Sequence, residues 1–262
     1  MLLLHGSIAI PRPINGRDDF ARLLRIWADV APSTLPTQAD DHEPVRRAFD
    51  PSSPEHHLDS WRSSSLWIAR RARPSVRFSV HGALGRSNST LHLSIQGRDA
   101  PRLMDVTARL VLALAQGFEA DLAVVHTLCE AERSEARAIR RPDVLTINRK
   151  TGLAGMSLGF SIPTARDGLE SLYWINFFGP RLEAFFGAER LASAGWESLE
   201  RVDSGVVARV TTEPPDDEGW EHFRVRRDQI VDRLGRSAFF PNATRFPDLG
   251  PEALVSGDIY RH

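Results

Sequence analysis

The sequence has one cysteine, Cys129, and one lysine, Lys150, among its 262 residues. A single cysteine excludes an internal disulfide framework and a cysteine-rich zinc site. No segment reaches the roughly 18 consecutive apolar residues that a transmembrane helix needs. The N-terminal MLLLHGSIAIPRP has no basic segment before its short apolar run, which favours a first β-strand over a secretory signal. We therefore expect a cytoplasmic protein with no membrane partner.

The charges nearly cancel, with 33 basic and 34 acidic residues and a net charge of −1. Such a chain has no overall field that would attract nucleic acid or an anionic membrane. The basic cluster RRARP at residues 70–74 is too small to predict a nucleic-acid surface on its own. A hydrophobic fraction of 42% is enough to form a packed core.

Hydrophobic periodicity predicts the order β-α-β-β-β-α-β for the first half of the chain. Helical spacing of apolar residues predicts helices at 17–30 and from a cap at Asp99 to Phe118. Strict alternation around Phe78 and Leu93 predicts two half-buried strands that form an antiparallel hairpin. Three further strands are predicted at residues 2–10, 66–68 and 120–128. The proline-rich segment 31–60 has no period and predicts a long loop.

The second half is predicted to have the same kinds of elements, but its residues do not repeat those of the first half. Short strands are predicted at 144–148 and 157–162, a hairpin at 196–212, and a helix at 217–234. The predicted fold class is α+β, with a mostly antiparallel sheet built from two hairpin-plus-helix units and helices packed on one face. We expect one domain over residues 1–262, with a division near residue 140 into sub-units 1–140 and 141–262.

The most aromatic segment is LYWINFFGPRLEAFFG, residues 172–187. Its first half has the aromatic and β-branched residues typical of a strand. Gly179 is expected to allow an abrupt turn, and Pro180 suits the first turn of a helix. The residues on the inner side of that helix are then Leu182, Phe185 and Phe186. Aromatic residues at regular spacing are usually core, so the segment predicts scaffold rather than a ligand site.

This motif resembles a family of bacterial immunity proteins, nearest to immunity protein group fifty-two. The Tyr-Trp pair, the Phe-Gly-Pro turn, the later Phe-Gly and the following AERLASA carry the resemblance, and SLWIARRARPSVRFSVHG and DLAVVHTLCEAE agree with it. It extends over about residues 60–240. It implies a protein that binds and neutralises a cognate toxin delivered by contact-dependent or type VI secretion. The motif residues treated as scaffold are Tyr173, Trp174, Phe177, Gly179, Pro180, Phe186 and Gly187.

A toxin-binding surface would need a few buried aromatic or arginine anchors and charges that complement the toxin. The acidic EPPDDEGWEHF, residues 213–223, would suit a basic partner such as a nuclease toxin. The same carboxylates also suit the N-terminus of a helix electrostatically. The candidate partner-binding residues are Trp67, Arg70, Arg71, Asp216, Asp217, Glu218, Trp220 and Glu221. Trp67 has core packing as its alternative.

Enzymatic alternatives rest mainly on histidines. His81 and His92 are expected to lie opposite each other across the hairpin, whereas zinc needs three or four convergent ligands. His126 and Cys129 would point to opposite faces of one strand, so they cannot form a nucleophile–base pair. Other candidates with unsuitable spacing are His56, His57 and Asp59 for a metal, and Gly152, Gly155 and Gly159 for a phosphate.

We therefore expect no catalytic residues, no metal and no cofactor, and a protein that is not an enzyme. Two alternatives to the immunity function remain open. One is a small hydrolase or metal-dependent enzyme that uses the hairpin histidines. The other is an adaptor that helps to load a secreted effector.

Overall fold

A computed structural model describes residues 2–14, 16–41, 43–54, 65–81, 89–127, 129, 146–147, 154–155, 169 and 171–239. The chain divides into two compact units, Met1–Val125 and His126–His262. The predicted strand at 157–162, the His56, His57 and Asp59 group, and two of the three loop glycines, Gly152 and Gly159, lie outside the described residues.

The described residues of the first unit form a mostly antiparallel sheet and two α-helices. Its elements are β1 (Leu2–Ile10), α1 (Arg17–Val30), β2 (Gln38–Asp40), β3 (Ser65–Arg70), β4 (Ser75–His81), β5 (Ser89–Gly97), α2 (Ala100–Gly117) and β6 (Leu122–Thr127), whose last two residues belong to the second unit. The strand order is β6-β1-β5-β4-β3-β2, and the pairs from β1 to β2 are all antiparallel. The predicted hairpin is confirmed as β4–β5.

Both helices of this unit pack on the same face of the sheet. Phe78 on β4 is paired with Leu93 on β5, which is paired with Gly6 on β1, so these three residues share a face. Trp27 of α1 meets Phe78 edge to face, with ring centroids 5.1 Å apart. Gly6 has no side chain, and a Cβ there would collide with Val111 of α2. The predicted packing of helices on one face is confirmed for this unit.

The described part of the proline-rich segment, residues 31–41 and 43–54, is more ordered than expected. Strand β2 pairs with β3, and a short 3₁₀ helix spans Pro32–Thr34. Phe49 is buried and meets Phe20 at a centroid distance of 6.0 Å. A strand of three residues is too short to show alternation, and its pairing partner lies far along the chain, so periodicity could not reveal it.

The second unit also combines antiparallel strands with helices. Its elements are β7 (Thr146–Ile147), β8 (Ala154–Gly155), β9 (Ile175–Phe178), α3 (Pro180–Phe186), α4 (Ala188–Ser193), β10 (Ser198–Val202), β11 (Gly205–Arg209) and α5 (Trp220–Leu234). Strands β10, β11 and β9 are neighbours in that order and antiparallel, and β7 pairs with β8. The β10–β11 hairpin is the one predicted at 196–212.

The turn between β9 and α3 differs from its prediction. Gly179 has φ −68° and ψ 173°, an extended conformation open to any residue, so this turn does not need the conformational freedom of glycine. The positive φ of +82° lies at Gly187, between α3 and α4. Pro180 at the first helical position pre-sets the backbone, so the chain enters the helix without a left-handed residue. No helix in the described ranges is long and apolar enough to cross a membrane.

Candidate functional site

The aromatic motif of residues 172–187 lies in the interior of the second unit. Tyr173, Trp174, Phe177 and Phe186 are all buried. The Trp174 indole Nε1 donates to the carbonyl oxygen of Thr211 at 3.0 Å, and its backbone carbonyl accepts from Val210. The remaining motif residues determine the course of the backbone. Gly179 and Gly187 flank α3, and the exposed Pro180 is its first residue. This placement supports the scaffold interpretation.

Two buried polar residues that the motif interpretation did not include hold its first residues in place. Asn176 accepts from the Tyr173 amide at 2.9 Å and donates to its carbonyl oxygen at 2.7 Å. His126 Nδ1 accepts from the Trp174 amide at 3.3 Å, and its ring contacts Tyr173 and Phe223. Hydrogen bonding of this kind is what allows polar side chains to be buried without loss of stability. In the sequence, a polar residue, Asn176, within an aromatic strand could have indicated this buried hydrogen bonding.

The acidic turn before α5 presents several carboxylates to solvent. Asp216, Asp217, Glu218 and Glu221 are all exposed. Asp216 closes the turn, because its Oδ1 accepts from the Gly219 amide at 2.7 Å. Glu221 pairs with Arg224 on α5 at 2.6 Å, and this hydrogen bond lowers the pKa of the Glu221 carboxyl. Both carboxylates therefore have local structural roles in addition to their charge.

The structure places Trp220 in the interior, in contrast to its predicted role in partner binding. Its side chain is only 7% exposed, and its ring stacks on Phe223 with centroids 5.8 Å apart. The Arg227 guanidinium lies 5.6 Å from the same ring. A ring enclosed in this way cannot insert into a partner, so its prediction as an anchor is wrong. It packs in the interior because it begins the buried face of α5.

The predicted group Trp67, Arg70 and Arg71 does not form one anchor. Leu66 and Ile68 are buried on the helix side of the sheet, so alternation places Arg70 on their side and Trp67 on the opposite side. Trp67 contacts His81 edge to face, with centroids 5.1 Å apart. Arg71 is exposed and donates to the carbonyl oxygen of Val45 at 3.3 Å. This group belongs to the first unit and the acidic turn to the second.

Three imidazole–hydroxyl pairs line the sheet face opposite α1 and α2. Ser7 Oγ lies 2.9 Å from His92 Nδ1, His5 Nδ1 lies 3.0 Å from Ser94 Oγ, and His81 Nε2 lies 2.9 Å from Ser79 Oγ. The sequence pattern placed His81 and His92 opposite each other, but the register pairs His81 with Thr90 and His92 with Ser79. The two imidazoles are diagonal neighbours, with ring centroids 5.5 Å apart. The sequence pattern missed the serines and His5. Alternation of His5 and Ser7 with apolar residues in LLLHGSIAI was the signal.

The chemistry available to these pairs is limited by burial. Burial, and then the neighbouring His81, lower the pKa of His92 to about 4. His92 is therefore neutral at pH 7, as a general base beside a hydroxyl should be. However, Ser7 is 0% exposed, so its oxygen is not in contact with solvent in this conformation. Within the described ranges, no three His, Cys, Asp or Glu side chains are grouped to hold a metal ion.

No protein-family model matches the chain, and no curated protein matches its sequence. Among solved structures, the Pseudomonas aeruginosa T6SS protein PA0821 is similar, with a TM-score of 0.57. The similarity covers 92% of this chain and 74% of that chain. At 15% sequence identity, it establishes a shared fold. This chain therefore has the α+β fold of a protein named for the type VI secretion system.

Proposed function

We propose that this protein is an immunity protein that binds and neutralises a cognate secreted toxin without catalysing a reaction. The observation that carries the proposal is the fold shared with a T6SS protein over 92% of the chain. The motif resemblance to immunity proteins at residues 172–193 comes from the sequence alone and supports the same kind of system. We also propose that the protein acts in the cytoplasm, where it would meet an incoming toxin.

Neutralisation by binding requires a surface that can change without loss of the fold. The acidic turn meets this requirement at Glu218, which is exposed and has no hydrogen bond or ion pair in the described part of the chain. A toxin that acts on nucleic acid must carry cationic groups for phosphates. Carboxylates on the immunity protein would attract that surface, speed association and occupy it.

Co-expression with the product of the neighbouring gene tests this function. We expect growth of a sensitive host to be restored and the two proteins to co-purify. Glu218→Arg should weaken the complex at least tenfold, whereas the matched reversal Asp29→Arg, at an exposed position on α1 in the first unit, should not. Rescue without any complex would contradict neutralisation by binding.

A hydrolase is the second candidate, and the Ser7–His92 hydrogen bond of 2.9 Å is the observation in its favour. A hydrolytic antidote would lose rescue in a Ser7→Ala variant that still folds and melts like the parent. An occluding immunity protein would keep rescue in that variant. Measuring rescue and melting together therefore separates the two candidates.

A further inference from the structure

Strand β10 is the open edge of the second unit. It pairs with β11 on one side, and no other described strand pairs with it. Its residues from Ser198 to Arg201 are exposed, and Leu199 has 37% of its side-chain surface accessible. An edge strand presents a row of unpaired N–H and C=O groups that another strand can use. Among the described strands, the outer backbone edge of β10 therefore has no partner.

The segment that contains this edge is rich in acidic residues. Residues 181–221 contain ten acidic residues and four arginines, which gives a net charge of −6, although the whole chain has −1. Glu197 is exposed, but Arg226 on α5 offsets its charge at a distance of 3.0 Å. Glu200 on β10 and Asp203 beside it are also exposed. Arg201 does not offset them, because its guanidinium pairs with Glu183 on α3 at 2.6 Å. A strand that approaches this edge therefore meets negative charge.

We propose that β10 is a docking edge for an extended basic segment of a partner protein, which adds to the sheet as a further strand. The inference rests on the proposed function, and it specifies which surface the toxin uses and what chemistry it brings. Backbone hydrogen bonds supply affinity in this mode, and side chains at alternate positions supply specificity.

The register of β10 defines what the added strand should carry. Glu200 pairs with Val207 on one face of the sheet, and Leu199 pairs with Ala208 on the other. A basic residue beside Glu200 would form a cross-strand ion pair, and an apolar residue beside Leu199 would cover its exposed surface. The partner strand should therefore alternate basic and apolar residues.

The same charges disfavour a second copy of this chain as the occupant. Antiparallel self-pairing centred on Glu200 would place the two Glu200 carboxylates directly opposite each other. Like charges in that position destabilise a strand pair. Charged edges commonly prevent indiscriminate strand addition, and an acidic edge prevents it for acidic strands while it accepts basic ones.

Hydrogen exchange on the complex with the neighbouring gene product tests the edge directly. We expect slower exchange of the amides of residues 198–202 in the complex, and at least a tenfold loss of affinity for Glu200→Lys. The matched control is Glu189→Lys, an exposed acid on α4, which should change affinity less than threefold. Equal losses of affinity for both variants, or unchanged amide exchange at residues 198–202 in a stable complex, would contradict docking at β10. Neither result would contradict the immunity function.

A second experiment tests strand addition at β10 without the toxin. A synthetic seven-residue peptide of alternating lysine and valine, at low salt, should shift the amide resonances of residues 198–202, and its glutamate–valine counterpart should not. Equal effects of both peptides, or none, would overturn the proposal. If the neighbouring gene product does not bind, the immunity function fails and this experiment alone decides the edge. Concentration-dependent dimerisation through β10 would identify a second copy as the occupant and also overturn it.

Discussion

The rings of Phe178 and Phe186 meet edge to face, with centroids 5.7 Å apart and planes inclined by 68°. The first lies at the end of β9 and the second at the end of α3, so one contact fastens the helix to the sheet. Phe186 also stacks against Phe239 at a centroid distance of 6.4 Å. The Phe-Gly-Pro turn can therefore be short without leaving α3 loose.

Truncation of this ring should act through stability. Phe186 is 2% exposed, and loss of a buried Phe costs about 3–5 kcal/mol. Phe186→Ala should lower the midpoint of urea denaturation accordingly, whereas Phe185→Ala, at a half-buried position, should lower it less. A Phe186→Ala protein that melts like the parent but no longer binds its toxin would show that the ring belongs to the interface.

A side chain at Gly187 should lower the stability of the protein because of the backbone conformation, without any clash with neighbouring atoms. Its φ is +82°, and a Cβ there would touch no atom within 4 Å. Gly187→Ala should therefore cost about 1–3 kcal/mol from the strained conformation. Gly16 is the matched control, because its surroundings are equally open and its φ is −135°. Gly16→Ala should cost less, because alanine is a poorer helix N-cap than glycine but the backbone there is not strained. Equal melting temperatures for the two variants would disprove the argument.

Substitutions of Trp220 and Glu218 should have different effects, because the first should lower stability and the second should weaken toxin binding. Trp220→Ala removes a buried ring and should destabilise by about 3–5 kcal/mol, because the space it leaves next to Phe223 cannot fully close. Glu218→Arg changes an exposed residue and should alter stability by less than about 0.5 kcal/mol while it weakens toxin binding. Thermal melting and toxin affinity, measured on both variants, should give opposite patterns.

His92 should make the first unit sensitive to acid. Its pKa falls from 6.5 to about 4 on folding, so the unfolded state takes up its proton at a higher pH. The stability that neutral His92 contributes is present above about pH 6.5 and is lost as the pH falls toward 4. The full loss is on the order of 3 kcal/mol. Urea denaturation at pH 7.5 and 5 should show a shallower decline for His92→Gln than for the parent. Parallel declines would assign the acid sensitivity to other groups.

Local pattern was sufficient for the regular elements. The helix at 17–30 was predicted with the bounds that the structure has, since Phe20, Leu23, Leu24 and Trp27 all face inward at helical spacing. Strand β1 was also predicted with the bounds that the structure has, although its residues from Leu4 to Ile10 are all buried. The β4–β5 hairpin was predicted at the right place, and in β5 buried and half-buried residues alternate. Each of these elements carries its own periodic signal over several residues.

Long-range relationships were beyond local pattern. Ser7 and His92 are separated by 85 positions, and only the register of β1 on β5 brings them together. The acidic turn was identified from its composition, but the burial of Trp220 depends on how α5 packs. The sequence predicted an abrupt turn at Gly179, but the positive φ lies at Gly187, and local pattern does not show which of the two glycines adopts it.

Strand β2 has a consequence for the solubility of the chain. It lies along β3, whose Leu66 and Ile68 would otherwise belong to an open, largely apolar margin. On its other side, β2 is paired within the same segment, because Gln38 forms an antiparallel bridge with Ala48 and the Ala39 amide donates to the carbonyl oxygen of Arg47 at 3.0 Å. Residues 38–40 therefore occupy the edge of β3, where a strand of another molecule could otherwise pair and start aggregation.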